Sequence, residues 1–122
     1  MSPEEMRAKW ELYGKAWSPV SDAERKQLLQ DSLTQTFSYA DPRIECHGQQ
    51  DVIHNLEAFQ ERQPGGSFAL RSMLPHHEVA LVNWQLIKKD GTAANQGFDF
   101  VRFAPSGLIA SITGFFVPPN AS

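Results

Sequence analysis

Gln96-Gly97-Phe98-Asp99-Phe100-Val101-Arg102-Phe103 decides the fold class and supplies the first candidate for chemistry. The run alternates with period two, the signature of a strand. One face carries Gln96, Phe98, Phe100 and Arg102; the other carries Gly97, Asp99, Val101 and Phe103. The second face is apolar apart from one carboxylate. A charge so placed must be paired, wetted by a cavity, or neutralised by a raised pKa. Asp99 is therefore the first place to look for a site. Desolvation by its apolar neighbours predicts an upward pKa shift, and Asp99→Asn is expected to be tolerated in folding.

Working outward, Asp90-Gly91 reads as a hairpin turn joining this strand to a preceding one, Val79 to Lys88, that contains Trp84. Pro105-Ser106-Gly107 is a second hairpin turn, leading into a last strand from Leu108 to Val117 that stops at Pro118-Pro119. Upstream, Phe68, Leu70 and Leu74 sit at even spacings in another strand, with Pro75-His76-His77 at a bend or the start of the next. Helices occupy the first half. Ser2-Pro3-Glu4-Glu5 is a capping box before the stripe Met6, Trp10, Tyr13 and Trp17. Ser21-Asp22-Ala23-Glu24 opens a second helix that buries Leu28, Leu29 and Leu33. Thr36 to Asp41 reads as a strand ended by Pro42. A third helix runs from about Asp51, its N-cap, to Gln63, with Val52, Leu56 and Phe59 buried. Helices first and a strand meander last argue an α+β domain, three helices packed on one antiparallel sheet that curls around them and leaves a cavity.

The bulk numbers bound the function. One domain, residues 1–122, is long enough for a real core, and 41% hydrophobic with 20% charged residues fits a globular chain. A net charge of -3 provides no basic footprint, so no nucleic-acid partner is expected. No window approaches a membrane span, and the charged N-terminus lacks the apolar run of a signal peptide, so a cytoplasmic protein with no membrane partner is expected. The single cysteine, Cys46, suits a reducing compartment and reads as a buried or incidental thiol. His47 falls in a loop, and adjacent histidines on a strand, His76 and His77, point to opposite faces. No metal is expected, and no cofactor.

Tyr39-Ala40-Asp41-Pro42, Gly48 before the third helix, Pro64-Gly65 after it, His76-His77, Trp84, Gly97-Phe98-Asp99-Phe100 and Gly107-Leu108-Ile109 running to Gly114-Phe115-Phe116 carry a resemblance. Over nearly its whole length the chain resembles the nuclear transport factor 2-like superfamily, in particular its SnoaL-like and ketosteroid-isomerase-like members. The resemblance implies a cone in which a strongly bent sheet wraps the first helix and leaves a deep apolar pocket. Ketosteroid isomerases use an aspartate base with a tyrosine and a protonated aspartic acid as oxyanion donors. The resemblance lays those roles on Asp41, Tyr13 and Asp99 respectively. It also points to a two-fold dimer.

Each candidate has a plainer reading beside it. Asp41 can instead cap the turn at Pro42, and Tyr13 can be a core residue with a satisfied hydroxyl. The expected cavity is lined by Tyr13, Trp17, Phe37, Tyr39, Leu56 and Phe59 from the first half of the chain. Trp84, Asp99, Val101, Phe103 and Phe116 join them from the second, with His77 at the mouth. Such a pocket suits a small apolar or aromatic ligand. It is either a cofactor-free isomerase or cyclase site or a binding module without turnover. On the opposite strand faces, Phe98, Phe100, Arg102 and Phe115 turn outward, together with Asn83, Gln85 and Ile109. That surface, apolar with few charges, predicts a homodimer interface.

Overall fold

The computed structural model describes residues 1–117; the stop at Pro118-Pro119 lies outside them. Three helices, α1 (Pro3–Ala16), α2 (Asp22–Ser32) and α3 (Gly48–Arg62), accompany six strands: β1 (Leu33–Ala40), β2 (Glu45–His47), β3 (Ser67–His76), β4 (Val79–Ile87), β5 (Ala93–Phe103) and β6 (Ile109–Phe115). The strands form one sheet in the order β2-β1-β6-β5-β4-β3. It is antiparallel at every pairing but one: β1 runs parallel to β6. Met6, Trp10 and Tyr13 on α1 and Val52, Leu56 and Phe59 on α3 are buried in one core with the inner sheet face. Among the described residues no helix is long and apolar enough to cross a membrane.

Local chemistry explains the helix ends. The Ser2 hydroxyl accepts from the Glu5 backbone N–H at 3.1 Å while the Glu5 carboxylate accepts from Ser2 N–H at 2.9 Å, closing the box. Ser21 makes only its half of the second box, to Glu24 N–H, and Glu24 instead pairs with Lys15 at 3.3 Å. The end of α1 is tied to α2 by Arg25. Its guanidinium is buried and donates to the Ala16 carbonyl at 2.9 Å, an acceptor that the helix end leaves open, and to the Ser18 carbonyl at 3.1 Å. The third helix starts at Gly48, a turn before the expected N-cap. Asp51 lies inside it and reaches back to accept from His47 N–H at 3.0 Å. His47 itself belongs to the short strand β2 and not to the expected loop. Leu33 is buried as expected, but it starts β1 instead of ending α2.

The two hairpin turns share one construction. Gly91 and Gly107, with φ of +88° and +87°, each donate to the carbonyl three residues back, Lys88 and Ala104 respectively. Only glycine holds that φ without cost.

Two register shifts overturn parts of the expected face pattern. A bulge between Leu70 and Ser72 reverses the alternation in β3, so Leu74 points out and is 67% exposed while Met73 packs on the core. A second shift, where Arg102 pairs with Ser111 but Phe103 with Ile109, turns Ile109 inward, fully buried instead of outward. Gln85 is also buried despite its place beside Gln96, with its amide donating to the Ala94 carbonyl and accepting from Arg71. The sequence between β3 and β4 forms a tight turn at His77-Glu78, with His77 exposed at a φ of +51°.

Candidate functional site

The face of β5 that carries Asp99 does turn inward: Asp99 is 5% exposed between buried Gly97 and Val101. Its carboxylate is not solitary. Trp10 on α1 donates its indole N–H to Oδ2 at 3.0 Å, and Trp84 on β4 donates to Oδ1 at 3.1 Å. Two neutral donors supply hydrogen bonds but no opposite charge, so burial still dominates. The Asp99 pKa is raised from 3.8 to about 6 by desolvation, opposed by the two indole hydrogen bonds and reinforced by the charge of Asp41. Because both oxygens accept, an amide there would turn its NH2 group on one indole N–H. Asp99→Asn therefore strands a buried donor, contrary to the tolerance expected from sequence.

Asp99 faces a cavity of about 180 Å³ between α1, α3 and the sheet. Tyr13, Trp17, Tyr39, Asp41, Phe59, Trp84 and Phe116 line it with Asp99, so eight of the expected residues come together. The structure does not bring the others. Phe37, Leu56, Val101 and Phe103 are packed solidly in the core beneath, where helix and sheet leave no space. His77 sits at the exposed β3–β4 turn, away from the lining, because that turn projects it into solvent. His76 and His77 do not point apart: the turn brings their Nδ1 atoms within 3.2 Å. Sequence reasoning left Trp10 in the core and missed Phe68, Leu86 and the polar rim of Arg43, Asn55 and Arg62. The one signal for Trp10 was its place one helical turn before Tyr13 on the same stripe.

Tyr13 is buried, and its phenol is pushed well up by desolvation and then by the charge of Asp99. The Trp17 indole N–H is close enough to moderate that shift without meeting hydrogen-bond geometry. The hydroxyl thus stays protonated and is available as a donor to a bound oxygen. Asp41 has no such freedom. Its Oδ2 accepts from the Tyr39 hydroxyl at 2.6 Å, and its Oδ1 accepts from the backbone N–H groups of Arg43 at 2.8 Å and Ile44 at 3.2 Å. This is the turn-capping arrangement around Pro42, with a phenol added. The Arg43 guanidinium takes no part in it and lies 6.0 Å over the Phe116 ring.

Gly114 on β6 lets these groups converge. A Cβ there would meet Asp99 Oδ1 at 3.3 Å, Asp41 Cβ at 3.4 Å and the Tyr39 hydroxyl at 3.5 Å. Beyond this cluster, Trp17, Phe59 and Phe68 form an aromatic wall with ring centroids 5.0–5.4 Å apart. Cys46 is outside the lining, and burial pushes its thiol up to about 11. Among the described residues no three His, Cys, Asp or Glu side chains gather in a group that could hold a metal.

The fold of the chain is nuclear transport factor 2-like. Its structural neighbours are SnoaL-like, nuclear transport factor 2-like, polyketide cyclase and ketosteroid isomerase proteins, most of them uncharacterised. A provisionally assigned isomerase of the SnoaL-like family from Agrobacterium tumefaciens superposes with a TM-score of 0.85 at 26% identity, over 93% of this chain and 97% of that one. A provisionally assigned SnoaL-like polyketide cyclase from a Jannaschia species gives 0.74 at 12% identity, over 94% and 88%. A provisionally assigned ketosteroid isomerase from Kribbella flavida gives 0.69 at 21% identity, over 98% and 81%. No family model matches the chain, and no curated protein matches it.

Proposed function

We propose that the cavity is a cofactor-free acid/base site that isomerises or cyclises a small apolar ligand through an enol-like intermediate. The observation that carries this reading is the buried Asp99 carboxylate, held by two indoles and facing the same cavity as the Tyr13 hydroxyl. A general base works best with a pKa near the operating pH, and a value of about 6 meets that need. The geometry favours moving the base role, which the resemblance lays on Asp41, to Asp99. Asp99 takes the proton from carbon next to a ligand carbonyl, the C–H electron pair becomes the C=C bond of the enolate as the carbonyl π pair moves onto the oxygen, and the Tyr13 O–H donates to that developing oxyanion. Asp99 then returns the proton to a different carbon. Asp41, with three donors on its oxygens, holds Tyr39 at the wall.

The test is exchange of α-hydrogens in a β,γ-unsaturated cyclohexenone in deuterium oxide, followed by NMR. Exchange and conversion to the conjugated isomer should exceed the buffer rate and fall about a hundredfold or more in Asp99→Asn, in line with loss of a general base. Tyr13→Phe should fall less. Buffer-rate exchange with intact protein across a set of small cyclic ketones would sink the catalytic reading. The engagement of Asp41 favours a second reading, a binding module without turnover, in which such ketones bind but do not exchange.

We propose in addition that the chain pairs with a second copy through the outer sheet face. Phe98, Phe100 and Phe115 are 45%, 36% and 56% exposed, and Leu81 and Leu74 are 38% and 67% exposed. They run across four strands in register, Leu74 beside Leu81, Leu81 beside Phe100, and Phe98 beside Phe115. Arg102 adds its guanidinium 5.8 Å from the Phe100 ring. An apolar band of this extent resembles the centre of an interface.

A further inference from the structure

We infer that the ligand of this cavity is a single-ring carboxylate, bound with its ring against the aromatic wall and its carboxylate at the mouth between Arg43 and Arg62. The inference rests on the reading of the cavity as a ligand site and narrows its small apolar ligand to one apolar ring with a charged end, adding size, charge and direction. Size comes first. A cavity of about 150 Å³ holds one benzene ring, so the 180 Å³ between α1, α3 and the sheet takes one ring with a short substituent and excludes fused ring systems.

Charge follows from which groups at the site are already satisfied. The acidic groups lining the cavity are Asp41 and Asp99, and both have hydrogen-bond donors on each oxygen. The cationic groups lining it are Arg43 and Arg62, exposed side chains with no ion pair among the described residues. Two unpaired guanidinium groups therefore border one opening in a chain whose net charge is -3. Arg43 is kept at that rim by the Phe116 ring beneath it. A planar fork of N–H donors suits a carboxylate better than any neutral group.

Direction follows from repulsion. A ligand carboxylate placed deep would meet Asp99 without a cation beside it, which is costly in a desolvated site. The carboxylate therefore stays at the arginine rim, and the opposite end of the ring points at Asp99 and Tyr13. A carbonyl or hydroxyl there would accept from the Tyr13 hydroxyl.

All three tryptophans of the chain, Trp10, Trp17 and Trp84, line the cavity, so intrinsic fluorescence reports on it directly. Benzoate, benzamide and naphthoate are titrated into the protein and into the double variant Arg43→Gln/Arg62→Gln. Benzoate should bind about tenfold more tightly than benzamide, the amount that two partly exposed ion pairs supply. The double variant should bind the two equally, and added salt should erode the preference in the unaltered protein. Naphthoate should bind at least tenfold more weakly than benzoate. Equal binding of benzoate and benzamide by the unaltered protein would overturn the assignment of charge and leave the pocket reading standing. Naphthoate binding as tightly as benzoate would overturn the one-ring limit. No saturable response to any of the three would remove both this inference and the ligand-site reading beneath it.

Discussion

The Trp84 indole lies where a side chain of Gly97 would be. A Cβ on Gly97 would come within 2.5 Å of Trp84 Cζ2 and 2.6 Å of the Phe115 carbonyl oxygen. The two residues are cross-strand partners in β4 and β5, and the missing side chain lets the ring lie flat enough to reach Asp99 two residues further on. Gly97→Ala should push the indole away and press on backbone that has no room to yield. We expect a loss of about 2 kcal/mol, combining overpacking with a weakened buried hydrogen bond. Urea unfolding of the two proteins checks this; a change below about 0.5 kcal/mol, the range of an ordinary surface substitution, would contradict it.

Asp99 gives stability a pH dependence of known sign. Its pKa is raised by burial from 3.8 to about 6, so the folded chain holds that proton more tightly than the unfolded one. The stabilisation is fully present below the unfolded value and is lost as the pH rises through about 6. The whole span amounts to ~3 kcal/mol. Subtracting the unfolding free energy of Asp99→Asn from that of the unaltered protein isolates the term. The difference should fall between about pH 4 and pH 7 and level off above. Trp84→Phe, which removes a donor to the ionised form, should move the midpoint up by about one unit. A difference that stays constant with pH would mean that Asp99 does not titrate in a buried site.

Arg25 is a polar side chain whose weight comes from three carbonyls. It is buried, donating to Ala16, Ser18 and, at 3.4 Å, Val20, and its remaining charge faces Asp22 at 3.6 Å. Arg25→Met keeps the aliphatic stem and takes the side-chain donor from the Ala16 carbonyl at the end of α1. A destabilisation of about 1–3 kcal/mol is expected, with faster amide exchange from Trp17 to Val20. Unaltered exchange in that segment would show that solvent replaces the guanidinium at no cost.

Phe100→Glu places a charge in the middle of the outer apolar band. The unaltered chain is expected to run as a dimer at micromolar concentration in light scattering, and this variant as a folded monomer, since an unpaired charge is costly at an interface centre. A monomeric parent would rule out the pairing, and a variant that stays dimeric would move the interface elsewhere.

Much of the fold is written locally. The Ser2–Glu5 box, the glycines at 91 and 107, and the period-two run around Asp99 each act through neighbours a few residues apart, so their outcomes were legible in the sequence. The inward placement of Asp99 and the upward direction of its shift belong to this class, because an apolar strand face has one side to go to. The parallel β1–β6 pairing, the bulges that turn Leu74 out and Ile109 in, and the core packing of Phe37 and Val101 do not. A bulge inserts a single residue and flips every side chain beyond it, and no local pattern announces where that happens. The partners of Asp99 also lie beyond local reach: Trp10 is 89 positions away along the chain and Trp84 is 15. Sequence placed a carboxylate in an apolar face; only tertiary packing chose indoles to hold it, tied Asp41 to Tyr39, and left two arginines facing the opening.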